Sequence, residues 1–301
     1  MDSAQESTKQ PSGDTVPPDS THTASDLREE TRPPPARRPV VKMAIDESVL
    51  GYPGDKPAYN SGVREMAGIV VKLLEDAGVS CCMVAEPALI YYGTGRVMTQ
   101  WILCVPTELL ETASQLMRNQ VDILEPFRRS SLTSVNGLEH LFPRFKFIGI
   151  SLFFVLTSSQ AVHVPCTPES IEYSHNRIPY PKLPVYAQSL LETLNQVDLD
   201  DLVDGMNPTL EWGEENLDLD RSADAEWGRW CADFLNNGEK ADDGDIPMWC
   251  FDPPTLRDIW KSTVSAEAKK NRQSWKYMPH METRFRKYGQ KDPRLRTRGY
   301  C

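Results

Sequence analysis

The chain has 301 residues, 40% of them hydrophobic and 25% charged, and a net charge of −10. That length holds one large domain or two small ones with tails, and the acidic balance argues against a general nucleic-acid binder. No run of 18 apolar residues exists to span a membrane, and MDSAQESTKQ lacks the apolar region of a Sec signal. Seven scattered cysteines without a CxxC pair predict reduced thiols in an intracellular, cytoplasmic protein, with the nucleus left open.

Residues 1–42 carry seven prolines and no aromatic residue, too little apolar surface to offset the entropy of ordering. A disordered tail is predicted over 1–58. Its run Arg32-Pro33-Pro34-Pro35-Ala36-Arg37-Arg38-Pro39 lacks the PxxP spacing and reads as a stiff basic linker.

Order is expected from residue 59. Val63, Met66, Ala67, Val70, Leu73, Leu74 and Ala77 form a stripe at helical period, closed by Gly78. Val79 to Ala85 (VSCCMVA) suits a short buried strand. Pro87 to Tyr92 reads as a helical turn ended by Gly93-Thr94-Gly95, and Trp101 to Val105 as a second strand. Thr107 to Arg118 is an amphipathic helix with Thr107 as N-cap. Val121 to Leu124 and Phe145 to Leu156 are further strands, with Ala161 to Val164 expected to pair with the latter. The expectation is an α/β (α+β) core over 59–178: a small mixed sheet with flanking helices.

A helix is then predicted from Pro184 to Leu194. Asp198 to Asp245 holds 16 acidic residues against three basic ones, yet six of the seven tryptophans lie between 212 and 275. Trp227, Trp230, Cys231, Phe234 and Leu235 fall on one helical face, with Ser222 placed as its N-cap. From Arg257 to Cys301 the sign reverses, with 13 basic residues against four acidic. A helical, acidic, Trp-rich extension packed on the core is expected over 179–278, and a basic arm over 279–301. Complementary charge predicts that the chain docks back at least to Tyr277 and frays beyond Asp292.

The stretch LLEDAGVSCCMVAEPALIYYGTGRVMTQWILCVP resembles the core of the nucleotidyltransferase superfold. It resembles more closely a group of uncharacterised fungal proteins with a degenerate core of that kind. The superfold implies a Gly-Ser or Gly-Gly step after the first strand and two carboxylates one residue apart on the next. These serve phosphate binding and a pair of divalent ions. Here the step falls at Ala85-Glu86 and the carboxylates at Gln100 and Ile102. Pro87 to Thr107 contains no acidic residue, and Phe145 to Ser159 has none for a third ligand. The resemblance thus implies the fold without the usual nucleotidyl transfer.

Tyr91, Tyr92, Arg96 and Trp101 surround the position of that cleft and would suit a flat or anionic small ligand, or else fill it as core. His163 and His175 are candidate acid/base residues. The five histidines show no HxxxH or HExxH spacing, so no metal site is signalled and no cofactor is expected. Cys81 and Cys82 read as buried small hydrophobes. Two functions follow as expectations: a non-catalytic protein that binds a partner or small ligand, or a cofactor-independent accessory enzyme of fungal small-molecule metabolism. Nucleic acid through the basic arm is disfavoured as a partner, since the acidic segment lies nearer.

Overall fold

A computed structural model describes residues 61–96, 98, 100–127, 138–148, 153–273 and 292–295. The tail expected over 1–58 and the arm from 279, apart from 292–295, lie outside the described residues.

Helix α1 (Ser61–Asp76) buries Ala67, Val70, Val71 and Leu74, the i, i+3, i+4, i+7 stripe read from the sequence. Gly78 ends it at φ +75°, a conformation that costs glycine little. Strand β1 (Cys82–Met83) follows, then α2 (Glu86–Tyr91) with Pro87 in its first turn, then β2 (Gln100–Val105), buried at every position. Helix α3 (Leu110–Arg118), β3 (Leu124–Pro126), β4 (Arg144–Phe147) and β5 (Phe153–Ser158) complete the layer.

The sheet order is β1-β2-β5-β4-β3. Only β2 and β5 run parallel; the other neighbours are antiparallel. Register pairs Cys82 with Cys104 and Ile102 with Val155, which in turn faces Arg144. The fold is a mixed α/β layer with flanking helices.

Four local expectations need correction. The apolar run Phe145 to Leu156 is not one strand but parts of the antiparallel pair β4 and β5. Strands buried on both faces show no alternation that would mark a reversal. Ala161 to Val164 forms turns closed by Ala161 N–H to Ser158 O and Val164 N–H to Ser159 O, not a strand. Thr107 does not cap its helix; its hydroxyl meets Ser159 Oγ at 3.0 Å and accepts from Gln160 N–H, tying the ends of β2 and β5. Val121 to Ile123 is a turn, and the strand begins at Leu124.

Strands β6 (Ile171–Tyr173) and β7 (Pro179–Pro181) form a separate antiparallel hairpin, so the boundary placed at residue 178 falls inside it. Helices α4 (Leu183–Glu192), α5 (Gln196–Met206), α6 (Leu210–Asn216), α7 (Ala225–Leu235), α8 (Leu256–Val264) and α9 (Ala266–Gln273) follow. The cap of α7 is Asp224, which accepts from the N–H groups of Glu226 and Trp227, while Ser222 bridges to Thr255.

The opposite charge blocks do meet. Arg272 reaches both carboxylate oxygens of Asp204, at 2.9–3.2 Å, and lies 3.3 Å from Asp200. Lys269 donates to Asn207 Oδ1 and to the Pro208 carbonyl. Residues 274–291 lie outside the description. Fraying beyond Asp292 is not seen at Pro293 and Arg294: Pro293 is buried against Gly93, and Arg294 pairs with Glu172 at 3.2 Å. An arginine with two carboxylate neighbours and a proline in contact with backbone explain the docking.

Candidate functional site

Among the described residues, Tyr91, Tyr92 and Arg96 are engaged by other protein groups. Ala85 sits at φ 55°, ψ −131°, a conformation glycine favours, and Glu86 opens α2 directly after it. On the next strand, Gln100 accepts from Arg144 Nη2 at 3.0 Å, both side chains buried. The guanidinium crosses β5 to make this bond, since Arg144 pairs with Val155 and Gln100 with Phe153. A neutral amide and a buried cation are thereby joined across the sheet.

Tyr91, Tyr92 and Arg96 converge on the later elements. Tyr91 donates to Glu172 at 3.0 Å and stacks on Tyr180, and Tyr92 donates to the Pro181 carbonyl at 2.6 Å. Burial first, then the charge of Glu172, pushes both phenols above their ordinary range. Arg96 pairs with Asp201 at 2.6 Å and Asp198 at 2.7 Å. Trp101 lies apart from them, fully buried and stacked on Phe154. His175 is exposed in the hairpin between β6 and β7.

His163 lines an open cleft. This cleft has a volume of about 850 Å³, within the range of small-ligand sites. The turn after β5 supplies Ser159, Gln160 and His163; α4 supplies Gln188 and Glu192; α7 and its cap supply Asp224, Trp227 and Trp230. His163 adopts φ 53°, a left-handed conformation that histidine enters more readily than most side chains. This turn aims Nδ1 at Glu192 Oε2, 3.0 Å away, and Nε2 at Asp224 Oδ2, 2.9 Å away. Trp227 stands edge-on to the ring and donates its indole N–H to the Gln160 carbonyl.

The electrostatics follow from these partners. Burial alone would lower the His163 pKa, but Glu192 and Asp224 outweigh it and raise the pKa above 6.5. Burial pushes Glu192 up, yet His163, Gln188 and Arg221 hold it below the usual carboxylate range. Asp224 is likewise lowered, its desolvation exceeded by the Trp227 N–H and by His163. With each ring nitrogen facing a carboxylate, His163 ties the core turn to α4 and α7, and both partners favour its protonated form.

Arg221 stands at the rim with its side chain 56% exposed, and among the described residues its guanidinium engages Glu192 Oε1 through Nη1. Its remaining donors can meet an anion. Of the apolar face of α7, Trp227 and Trp230 are half-buried in the cleft wall, Phe234 stacks on Phe142, and Leu235 is exposed.

A second cluster escaped the sequence reading. The sulfurs of Cys82, Cys104 and Cys166 lie within 4.8 Å of one another, all buried. Cys82 and Cys104 sit in short apolar strands whose register is invisible before folding. Cys81 is buried too, consistent with its reading as a small hydrophobe.

No protein-family description and no curated protein matches the sequence. Two solved structures are similar in chain course. JHP933 from Helicobacter pylori is 12% identical, over 71% of this chain and 92% of that one, with a TM-score of 0.30. A candidate nucleotidyltransferase from H. pylori is 12% identical, over 71% and 95%, with a TM-score of 0.31. Both likenesses are distant, and the fold class rests on the sheet and helices themselves.

Proposed function

We propose that this chain acts by binding a small ligand or partner group in the cleft beneath Trp227, without nucleotidyl transfer. One observation carries the reading: an open cleft of mixed polar and apolar lining, with two tryptophans in its wall and a largely exposed arginine at its rim. Trp227 and Trp230 offer flat apolar surface, and Arg221 offers planar donors to a carboxylate or similar anion. The Gln100–Arg144 pair supports the absence of metal-dependent transfer, because a buried guanidinium repels the cations that chemistry needs. The test is titration with aromatic carboxylates such as benzoate and indole-3-acetate, followed by tryptophan fluorescence. Binding that is lost in Arg221→Ala and Trp227→Ala supports the reading. Incorporation of labelled nucleotide in the presence of Mg²⁺ would overturn it.

A second reading has one observation in its favour, His163 on the cleft floor. In it the chain is a cofactor-independent accessory enzyme of fungal small-molecule metabolism, with the His163 imidazolium as general acid. His163→Gln would then abolish turnover of a bound ligand. Under the first reading, no turnover occurs in either form.

A further inference from the structure

The trio of thiols has no role in the cleft. Cys82 and Cys104 are cross-strand partners on β1 and β2, and Cys166 comes from the loop that follows the His163 turn. Three chain segments separated by 22 and 62 residues therefore bring three ligand atoms to one point. Cys82 and Cys104 are fully buried and Cys166 is 4% exposed, so the only route from solvent runs past Cys166 among these three.

We propose that Cys82, Cys104 and Cys166 form a binding site for one thiophilic d¹⁰ cation, of the Zn²⁺ or Cu⁺ type. Metal–sulfur bonds of about 2.3 Å place three sulfurs roughly 3.8–4.0 Å apart in tetrahedral or trigonal geometry. Sulfurs already within 4.8 Å reach that spacing by small side-chain shifts. The donor set is all sulfur, which selects soft ions over Mg²⁺ or Ca²⁺. A cation entering the trio displaces thiol protons to solvent.

The experiment uses the full chain, stripped with a chelator under reducing conditions and titrated separately with Co²⁺, Zn²⁺ and Cu⁺. Saturation at one Co²⁺ per chain, with thiolate-to-cobalt absorption in the near ultraviolet, is expected. One equivalent of Zn²⁺ or Cu⁺ should bleach that band, and which ion does so at lower concentration distinguishes the two. Cys166→Ala should lose the band, while Cys231→Ala on α7 should keep it. Should Cys166→Ala fail to fold, the wild-type titration still decides. No near-ultraviolet band in the wild type, or a band that persists in folded Cys166→Ala, overturns the site.

Discussion

Arg144 reaches across β5 to donate to Gln100 Oε1 at 3.0 Å, and both side chains are buried. The bond fixes a buried cation between β2 and β4. Arg144→Met keeps the apolar stem but removes the donor, leaving the Gln100 amide to find other partners. A loss of about 2 kcal/mol in urea denaturation is expected, the scale for a buried hydrogen bond to a charged group. Millimolar Mg²⁺ should leave the melting temperature of the wild type unchanged.

Ala85 holds a backbone conformation that strains any residue with a Cβ. Its carbonyl accepts from Leu89 N–H at 2.9 Å and from the Tyr186 hydroxyl at 3.4 Å, which fixes it there. Ala85→Gly should therefore stabilise the protein by about 1 kcal/mol, the relieved strain exceeding the entropy that glycine adds to the unfolded chain. A lower denaturation midpoint in that variant would show the conformation to be unstrained.

The His163 clamp predicts a pH profile. Its folded pKa is raised, so its contribution is complete below 6.5 and fades as pH climbs through the folded value. Glu192 and Asp224 are lowered, so theirs is present above ordinary carboxylate values and fades as pH falls through the folded ones. Stability from the clamp is greatest in mildly acidic solution. Melting curves from pH 5 to pH 9 should show wild type losing more than His163→Gln on the alkaline side, a range bracketing the ordinary histidine value of about 6.5. Parallel curves would mean the clamp contributes nothing.

Arg272 docks α9 onto α5 through Asp204 and Asp200, with its Nη2 also on the Thr263 carbonyl. Arg272→Met strands buried carboxylates and should cost about 3 kcal/mol. Adding Asp204→Leu should recover part of that loss, because an apolar pair carries no desolvation penalty. A double variant less stable than the single one would contradict this.

Periodicity made α1, α3 and the aromatic face of α7 legible, since one stripe of each meets the protein body. Charge patterning led to the expectation that the two opposite blocks attract, and Arg272 with Asp204 is one such contact, while Tyr277 lies outside the described residues. What stayed hidden depends on three-dimensional register. His163 could be singled out as a residue, but Glu192 and Asp224 lie 29 and 61 positions away and carry no motif. The Cys82–Cys104 pairing arises only when β1 and β2 align. Tyr91, Tyr92 and Arg96 were found near one another, as their closeness in sequence implied. Their partners carry no motif: Glu172 lies on β6, and Asp198 and Asp201 in the acidic, Trp-rich extension.

The central claim places ligand binding at α7 and not beside the buried sheet. Indole N–H resonances of the seven tryptophans, assigned by single substitutions, report both places in one spectrum. Titration with indole-3-acetate should move the Trp227 and Trp230 signals in a saturable way and leave Trp101 in place. Movement of Trp101 with Trp227 and Trp230 unmoved would contradict the account.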